Sequence, residues 1–177
     1  TLSPVQRKAF ECLENLDFPT RKTEDWKYTR VNKIINREYS TLTVNEKVNI
    51  SDYRLDGIEN IVVLVNGEFQ EELSEIETTQ EGVIISSLKE AATQHAEIFN
   101  AHFGKQAQYQ TTIFTAMNMA HCKDGAFIYA AKNVQVKTPI QVIHICSGEN
   151  TISQAHHLYL ADSSSQLNII ETYVSHE

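Results

Sequence analysis

The feature that most constrains this sequence is a change of texture after Asp124-Gly125. Short apolar runs then alternate with polar turns: Ala126–Ala131, Val134–Val136, Ile140–Cys146, His157–Ala161 and Leu167–Val174. Gly148-Glu149-Asn150 and Asp162-Ser163-Ser164-Ser165 separate the later runs. Runs of this length, bounded by Gly, Asn, Asp and Ser, read as β-strands. Many short strands with polar turns leave a sandwich, a barrel or a β-solenoid open. No strict repeat selects the solenoid, and 6 glycines in 177 residues disfavour a Gly-rich repeat type.

The preceding part is different. Residues 1–110 hold 12 Lys/Arg and 18 Asp/Glu, whereas residues 111–177 hold 3 and 5. The fold class expected is therefore α+β, with an N-terminal helical and hairpin region over 1–110 and a β core over 111–177. No Pro/Gly/Ser-rich linker marks the boundary.

Local signals place the early elements. Ser3, Pro4 and Gln6 make an N-cap, a first-turn proline and a capping box. Val5, Ala9, Leu13 and Leu16 repeat on one face of the helix that follows, and Asp17-Phe18-Pro19 ends it. A second helix is expected from Thr23, anchored by Trp26, Tyr28, Val31, Ile34 and Ile35. Asn66-Gly67 between Ile61–Val65 and Glu68–Gln70 signals a hairpin, because both turn residues tolerate positive φ. Val83–Ile85 reads as a strand. Ser87 and Glu90 then open a helix that carries Leu88, Ala91, Ala92, His95, Ile98, Phe99 and His102 on one face and stops at Gly104. A shorter helix is expected over Ile113–His121.

Charge and apolar run lengths exclude some functions. The net charge of −8 repels phosphate backbones, which disfavours nucleic acid as a partner. The run Ile61–Val65 falls far short of the roughly 20 apolar residues of a membrane helix. No basic-then-apolar leader is visible, and 3 scattered cysteines suit a reducing, cytoplasmic setting. The basic residues Arg21, Lys22, Lys27, Arg30, Lys33 and Arg37 are interleaved with Glu24, Asp25 and Glu38, as on a salt-bridged helical face.

Candidate chemistry gathers in the β region. His121, Cys122, His144, Cys146, His156 and His157 carry imidazole and thiol groups that suit zinc or iron. His144 and Cys146 share one face of a strand, while His156 and His157 point to opposite faces. No Cys-x-x-Cys, His-x-x-x-His or His-Glu-x-x-His is present, so the expected roles are a buried small hydrophobe for Cys146 and an ordinary strand residue for His144. His95 and His102, two turns apart, are too distant to share one ion easily. Asp124, Asp162 and Glu171 read as solvated acids. No nucleophile constellation or phosphate-binding glycine loop is present. The sequence therefore assigns no catalytic, cofactor-binding or metal-ligating residue. An alternative is a metal-binding β-barrel enzyme, because His144-x-Cys146 followed by Glu149 resembles a cupin metal motif with one ligand exchanged and the spacing shortened.

The run Phe18-Pro19-Thr20-Arg21-Lys22-Thr23-Glu24-Asp25-Trp26-Lys27-Tyr28-Thr29 closely resembles the N-terminal signature of the SufB/SufD family, on its SufD side. Val65-Asn66-Gly67-Glu68-Phe69 with Leu73-Ser74, Ser87-Leu88 with Glu90-Ala91, and Asn118-x-Ala120 follow in the family's order. Asp124-Gly125-Ala126-Phe127-Ile128, Pro139-Ile140 and Leu167–Ser175 continue it, so the resemblance covers essentially the whole chain. The resemblance implies the first rungs of a right-handed parallel β-helix after the helical region. It also implies a non-catalytic scaffold subunit of iron–sulfur cluster assembly that pairs with a SufB-type subunit and binds a SufC-type ATPase. No cofactor would be bound stably by this segment, and the full complex would handle the iron–sulfur cluster transiently. Family members are more than twice this length, so the chain is expected to be an N-terminal portion. A strand edge left open at residue 177 would then favour self-association.

Overall fold

The computed structural model describes residues 3–40 and 48–176. The chain forms two compact units, Thr1–Ser40 with Gly104–His121, and Thr41–Phe103 with Cys122–Glu177. This division by contacts differs from the break in composition at 110/111, because the chain leaves the first unit at Ser40 and returns to it at Gly104.

The first unit is helical. Helix α1 (Pro4–Leu13) opens as its sequence demands. Ser3 Oγ accepts the Gln6 N–H at 3.2 Å and Gln6 Oε1 accepts the Ser3 N–H at 3.0 Å. Its fully buried Ala9 lets it pack against α5 (Ile113–His121), which buries Ile113, Ala116, Met119 and Ala120. Phe114 of α5 collects Trp26 at 5.1 Å and Phe18 at 5.8 Å between ring centroids. Gly104 takes φ +73°, and a Cβ there would meet Val5 Cγ1 at 2.5 Å, so glycine both turns the chain and admits α1.

The helix expected from Thr23 is not continuous. It is a single 3-10 turn at Glu24–Trp26 and then one turn of α-helix, α2 (Asn32–Ile35). Hydroxyls compete for the backbone here: Thr23 Oγ1 accepts the Thr20 N–H and Thr20 Oγ1 accepts the Lys22 N–H. Val31 and half-buried Trp26 do anchor the segment, but Tyr28 is 90% exposed and Ile34 56% exposed.

The second unit is built on two sheets. Strands β1 (Asn60–Val65) and β2 (Glu68–Phe69) form the hairpin, with Asn66 at φ 51° and Gly67 at φ 85°. β3 (Glu75–Ile76) also pairs antiparallel with β1. β6 (Ile140–Ser147) lies parallel to β1, and β8 (Ile169–His176) lies parallel to β6. The second sheet has the order β4 (Val83–Ser87), β5 (Ala126–Ala130), β7 (Leu158–Ala161), with β4 antiparallel and β7 parallel to β5.

Two apolar layers flank β1 and β6. Val62, Leu64 and Val142 pack with Ala126, Ile128 and Ala130 of the second sheet. Ile61, Val63, Ile143 and Ile145 face a separate cluster with Val48. Burial on both faces is why these strands read as continuous apolar runs rather than alternating ones.

The parallel pairing has a nearly constant offset, 31 residues at the first two points and 29 at the third. Phe127 lies opposite Leu158, Gln135 bridges Gln166, and Ile140 lies opposite Ile169. The pass from β5 to β6 is thus repeated by the pass from β7 to β8. Val134–Val136 contributes only the Gln135 bridge, not a strand. The helix expected through His102 is two helices, α3 (Leu88–Gln94) and α4 (Ala96–His102), broken at His95, whose φ −124° and ψ 37° leave the helical region. Ser87 Oγ caps α3 through the Glu90 N–H at 3.0 Å. No described helix is long and apolar enough to cross a membrane.

Candidate functional site

On β6 the side chains alternate between the two layers, so His144 follows Val142 toward the second sheet. The parallel register sets Tyr173 opposite His144 and Glu171 opposite Val142. His157 precedes β7 and Tyr159 lies within it. Five polar or aromatic side chains from three strands and one loop therefore meet at the end of the inter-sheet layer.

Their geometry is close. The His144 and Tyr173 rings stack with centroids 4.2 Å apart and an interplanar angle of 5°. His157 meets His144 edge-on at 4.8 Å and lies nearly parallel to Tyr159 at 5.6 Å. The Glu171 carboxylate accepts the Tyr159 hydroxyl at 2.7 Å and the Tyr173 hydroxyl at 3.0 Å. Its Oε1 is also 3.6 Å from His144 Nε2. His157 Nδ1 accepts the Ala126 N–H at 2.9 Å. The His144 side chain is 9% exposed, and its Nε2 is buried with no hydrogen-bond partner.

One ligand-type atom from each of His144, His157 and Glu171 lies within 4.8 Å of the other two. Beside them opens a pocket of about 420 Å³, lined also by Cys146, Ser153 and Ser175.

Electrostatics follow the burial. Desolvation pushes His144 below the ordinary imidazole range, against the pull of Glu171. His157 is lowered to about 4 by burial and by neighbouring His144 and His156, with Glu171 opposing. Burial also lowers His156. For Glu171 burial acts to raise the pKa, but the hydroxyls of Tyr159 and Tyr173 and the two histidines together hold it below the usual carboxylate value. Burial and the Glu171 carboxylate push the Tyr159 and Tyr173 hydroxyls upward. At neutral pH the group is thus one carboxylate held by two phenols beside two neutral imidazoles.

The sequence-derived histidines and cysteines do not all converge. His121 stands edge-on to Phe10 at 4.9 Å in the helical unit. Cys122 is buried, and His156 packs edge-on against Phe103 at 5.3 Å. The Cys146 Sγ lies 3.2 Å from Thr151 Oγ1 and borders the pocket without joining the ligand group. Glu149 is exposed in the turn after β6, so the cupin-like set of His144, Cys146 and Glu149 is not the set the fold assembles. His95 lies parallel to Phe127 at 6.2 Å.

Two acids depart from their expected solvation. Asp124 is 3% exposed, and its carboxylate accepts the Lys89 N–H at 3.1 Å and the Phe69 N–H at 3.4 Å. Glu171 is exposed only in part and anchors the cluster. The signal that would have found it is the parallel offset between β6 and β8, which no residue pattern announces.

Comparisons with known proteins agree on one family. The family model described as "SufBD protein N-terminal region" matches residues 1–142. The "Iron-sulfur cluster assembly protein SufD" of Bacillus subtilis (strain 168) is 28% identical over 184 residues, covering 98% of this chain. Proteins described as "Iron-sulfur cluster assembly SufBD family protein" from Staphylococcus haemolyticus (strain JCSC1435) and Staphylococcus epidermidis (strain ATCC 12228) are each 30% identical over 97 residues, 55% of this chain and 21% of theirs. The chain spans 41% of the length of the Bacillus relative.

Proposed function

The chain belongs to the SufBD family, and from that premise we propose that it is part of a scaffold subunit for iron–sulfur cluster assembly. The observation that carries the reading is the match to the SufBD N-terminal region over residues 1–142, together with similarity to a SufD along 98% of the chain. In this reading the subunit works without catalysing a reaction. It pairs with a SufB-type subunit, binds a SufC-type ATPase and acts in the cytoplasm. The complex handles the cluster transiently, and no cluster resides on this segment.

The architecture supports the reading. The passes β5 to β6 and β7 to β8 stack in parallel, as successive rungs of a right-handed β-helix would. Among the described residues β7 and β8 are each paired on one edge only, which suits the addition of another rung or of a partner strand. The test is co-purification of the full-length protein with SufC-type and SufB-type partners. The expected result is a stable complex containing both. Failure to bind either one overturns the proposal.

A further inference from the structure

The group at the end of the inter-sheet layer has a donor set with a definite chemical preference. Two imidazoles and one carboxylate, with an open side, are the ligands that zinc and ferrous sites use, whereas magnesium and calcium select oxygen. We propose that His144, His157 and Glu171 form a binding site for a borderline first-row divalent cation of the Zn²⁺ or Fe²⁺ class. This does not rest on the assembly role.

Three observations support the site. His144 Nε2 is buried, aimed at Glu171 and without a hydrogen-bond partner, which is unusual for a polar atom in a protein interior. A ligand would supply the missing partner. The His144–Glu171 separation of 3.6 Å already matches tetrahedral ligands spaced about 3.4 Å apart around an ion with bonds of about 2.1 Å. The Glu171 carboxylate is held by Tyr159 and Tyr173, the kind of outer contact that orients a ligating carboxylate. The pocket lined by His144 and His157 leaves coordination positions for water or another ligand.

His157 is the ligand that must change. Its Nδ1 accepts the Ala126 N–H, so the ring proton sits on Nε2 and the ring is neutral. When a cation binds Nε2, that proton moves to Nδ1. The ring stays neutral, no net proton is released by it, and the Ala126 N–H loses its acceptor. Cation binding is therefore reported at a backbone amide in β5 that touches no metal.

The experiment uses the intact chain, loaded with Zn²⁺ alone, with Fe²⁺ alone under anaerobic conditions, or with Mg²⁺, and dialysed before elemental analysis. One equivalent of Zn²⁺ or Fe²⁺ and no retained Mg²⁺ is expected. His144→Ala and Glu171→Gln each weaken binding at least about tenfold, while Cys146→Ser leaves it unchanged. The glutamine oxygen accepts one tyrosine hydroxyl and its NH2 group donates to the oxygen of the other, so Glu171→Gln keeps both contacts in reoriented form, and urea unfolding of the variant separates ligation from stability. In amide NMR spectra, the Ala126 resonance moves and its exchange quickens on loading. Absence of stoichiometric uptake overturns the proposal, and so does uptake that survives both substitutions, which places the metal on other residues.

Discussion

Gly125→Ala tests how tightly the turn into β5 is built. Position 125 has no unusual φ, so alanine meets no conformational penalty there. The objection is steric. A Cβ would lie 2.6 Å from the His156 carbonyl carbon, nearer still to its oxygen, and 3.2 Å from the His156 nitrogen. Ordinary contacts lie at 3.4–4 Å, so one backbone must retreat. Neither is free to do so. The His156 N–H donates to the Asp124 carbonyl at 3.0 Å, and the next ring, His157, holds the Ala126 N–H. The Gly125 carbonyl accepts the Leu88 N–H at 2.8 Å. Overpacking costs about 1–3 kcal/mol, and two loosened hydrogen bonds add about 1 kcal/mol each. A loss of roughly 3–5 kcal/mol is expected, a large share of the ~5–15 kcal/mol typical of folded domains.

Gly57→Ala is the matched control, because Gly57 has φ +78° and nothing within 4 Å of an added Cβ. Its cost is backbone strain alone, about 1–2 kcal/mol. Urea denaturation followed by far-ultraviolet circular dichroism, with equal m-values, compares the two. If Gly125→Ala costs no more than Gly57→Ala, the packing argument fails.

Three further expectations follow from other parts of the fold. Fully buried Gln141 donates to the Tyr53 carbonyl and Thr172 Oγ1 and accepts the Leu55 N–H, so Gln141→Leu should cost about 2–4 kcal/mol in urea unfolding. For His157 the folded pKa of about 4 lies below the free imidazole value near 6.5, so its contribution is fully present above pH ~6.5 and lost as pH falls toward 4. The loss reaches ~2 kcal/mol by pH 5, and His157→Gln should flatten the urea midpoint between pH 7 and 5 relative to the parent chain. Finally, among the described residues β8 is paired on one edge only, which predicts concentration-dependent self-association in sedimentation velocity, reduced by Ile170→Lys on that strand. A monomer at every concentration would remove that expectation.

Local chemistry settled the elements whose causes lie within a few residues. Ser3, Pro4 and Gln6 specify the start of α1, and Asn66-Gly67 specifies the hairpin, because each device satisfies backbone groups or torsions inside its own turn. The apolar runs at 61–65 and 140–146 likewise specify buried strands. Where two local preferences compete, the pattern misleads: Thr20 and Thr23 divert the backbone of the expected second helix, and the helix through His95 breaks.

The site depended on tertiary structure. His144, His157 and Glu171 lie on separate segments, and nothing in their spacing predicts a meeting. Only the parallel register, which sets β8 one pass beyond β6, brings the Glu171 carboxylate to 3.6 Å from His144 Nε2 and stacks Tyr173 on its ring. Only the second sheet, carrying β7, closes His157 and Tyr159 over them. The same packing explains why the acids at 124 and 171 are not the solvated turn residues their neighbours suggest. Sequence determined which residues were available, and long-range pairing decided which of them share one dielectric environment.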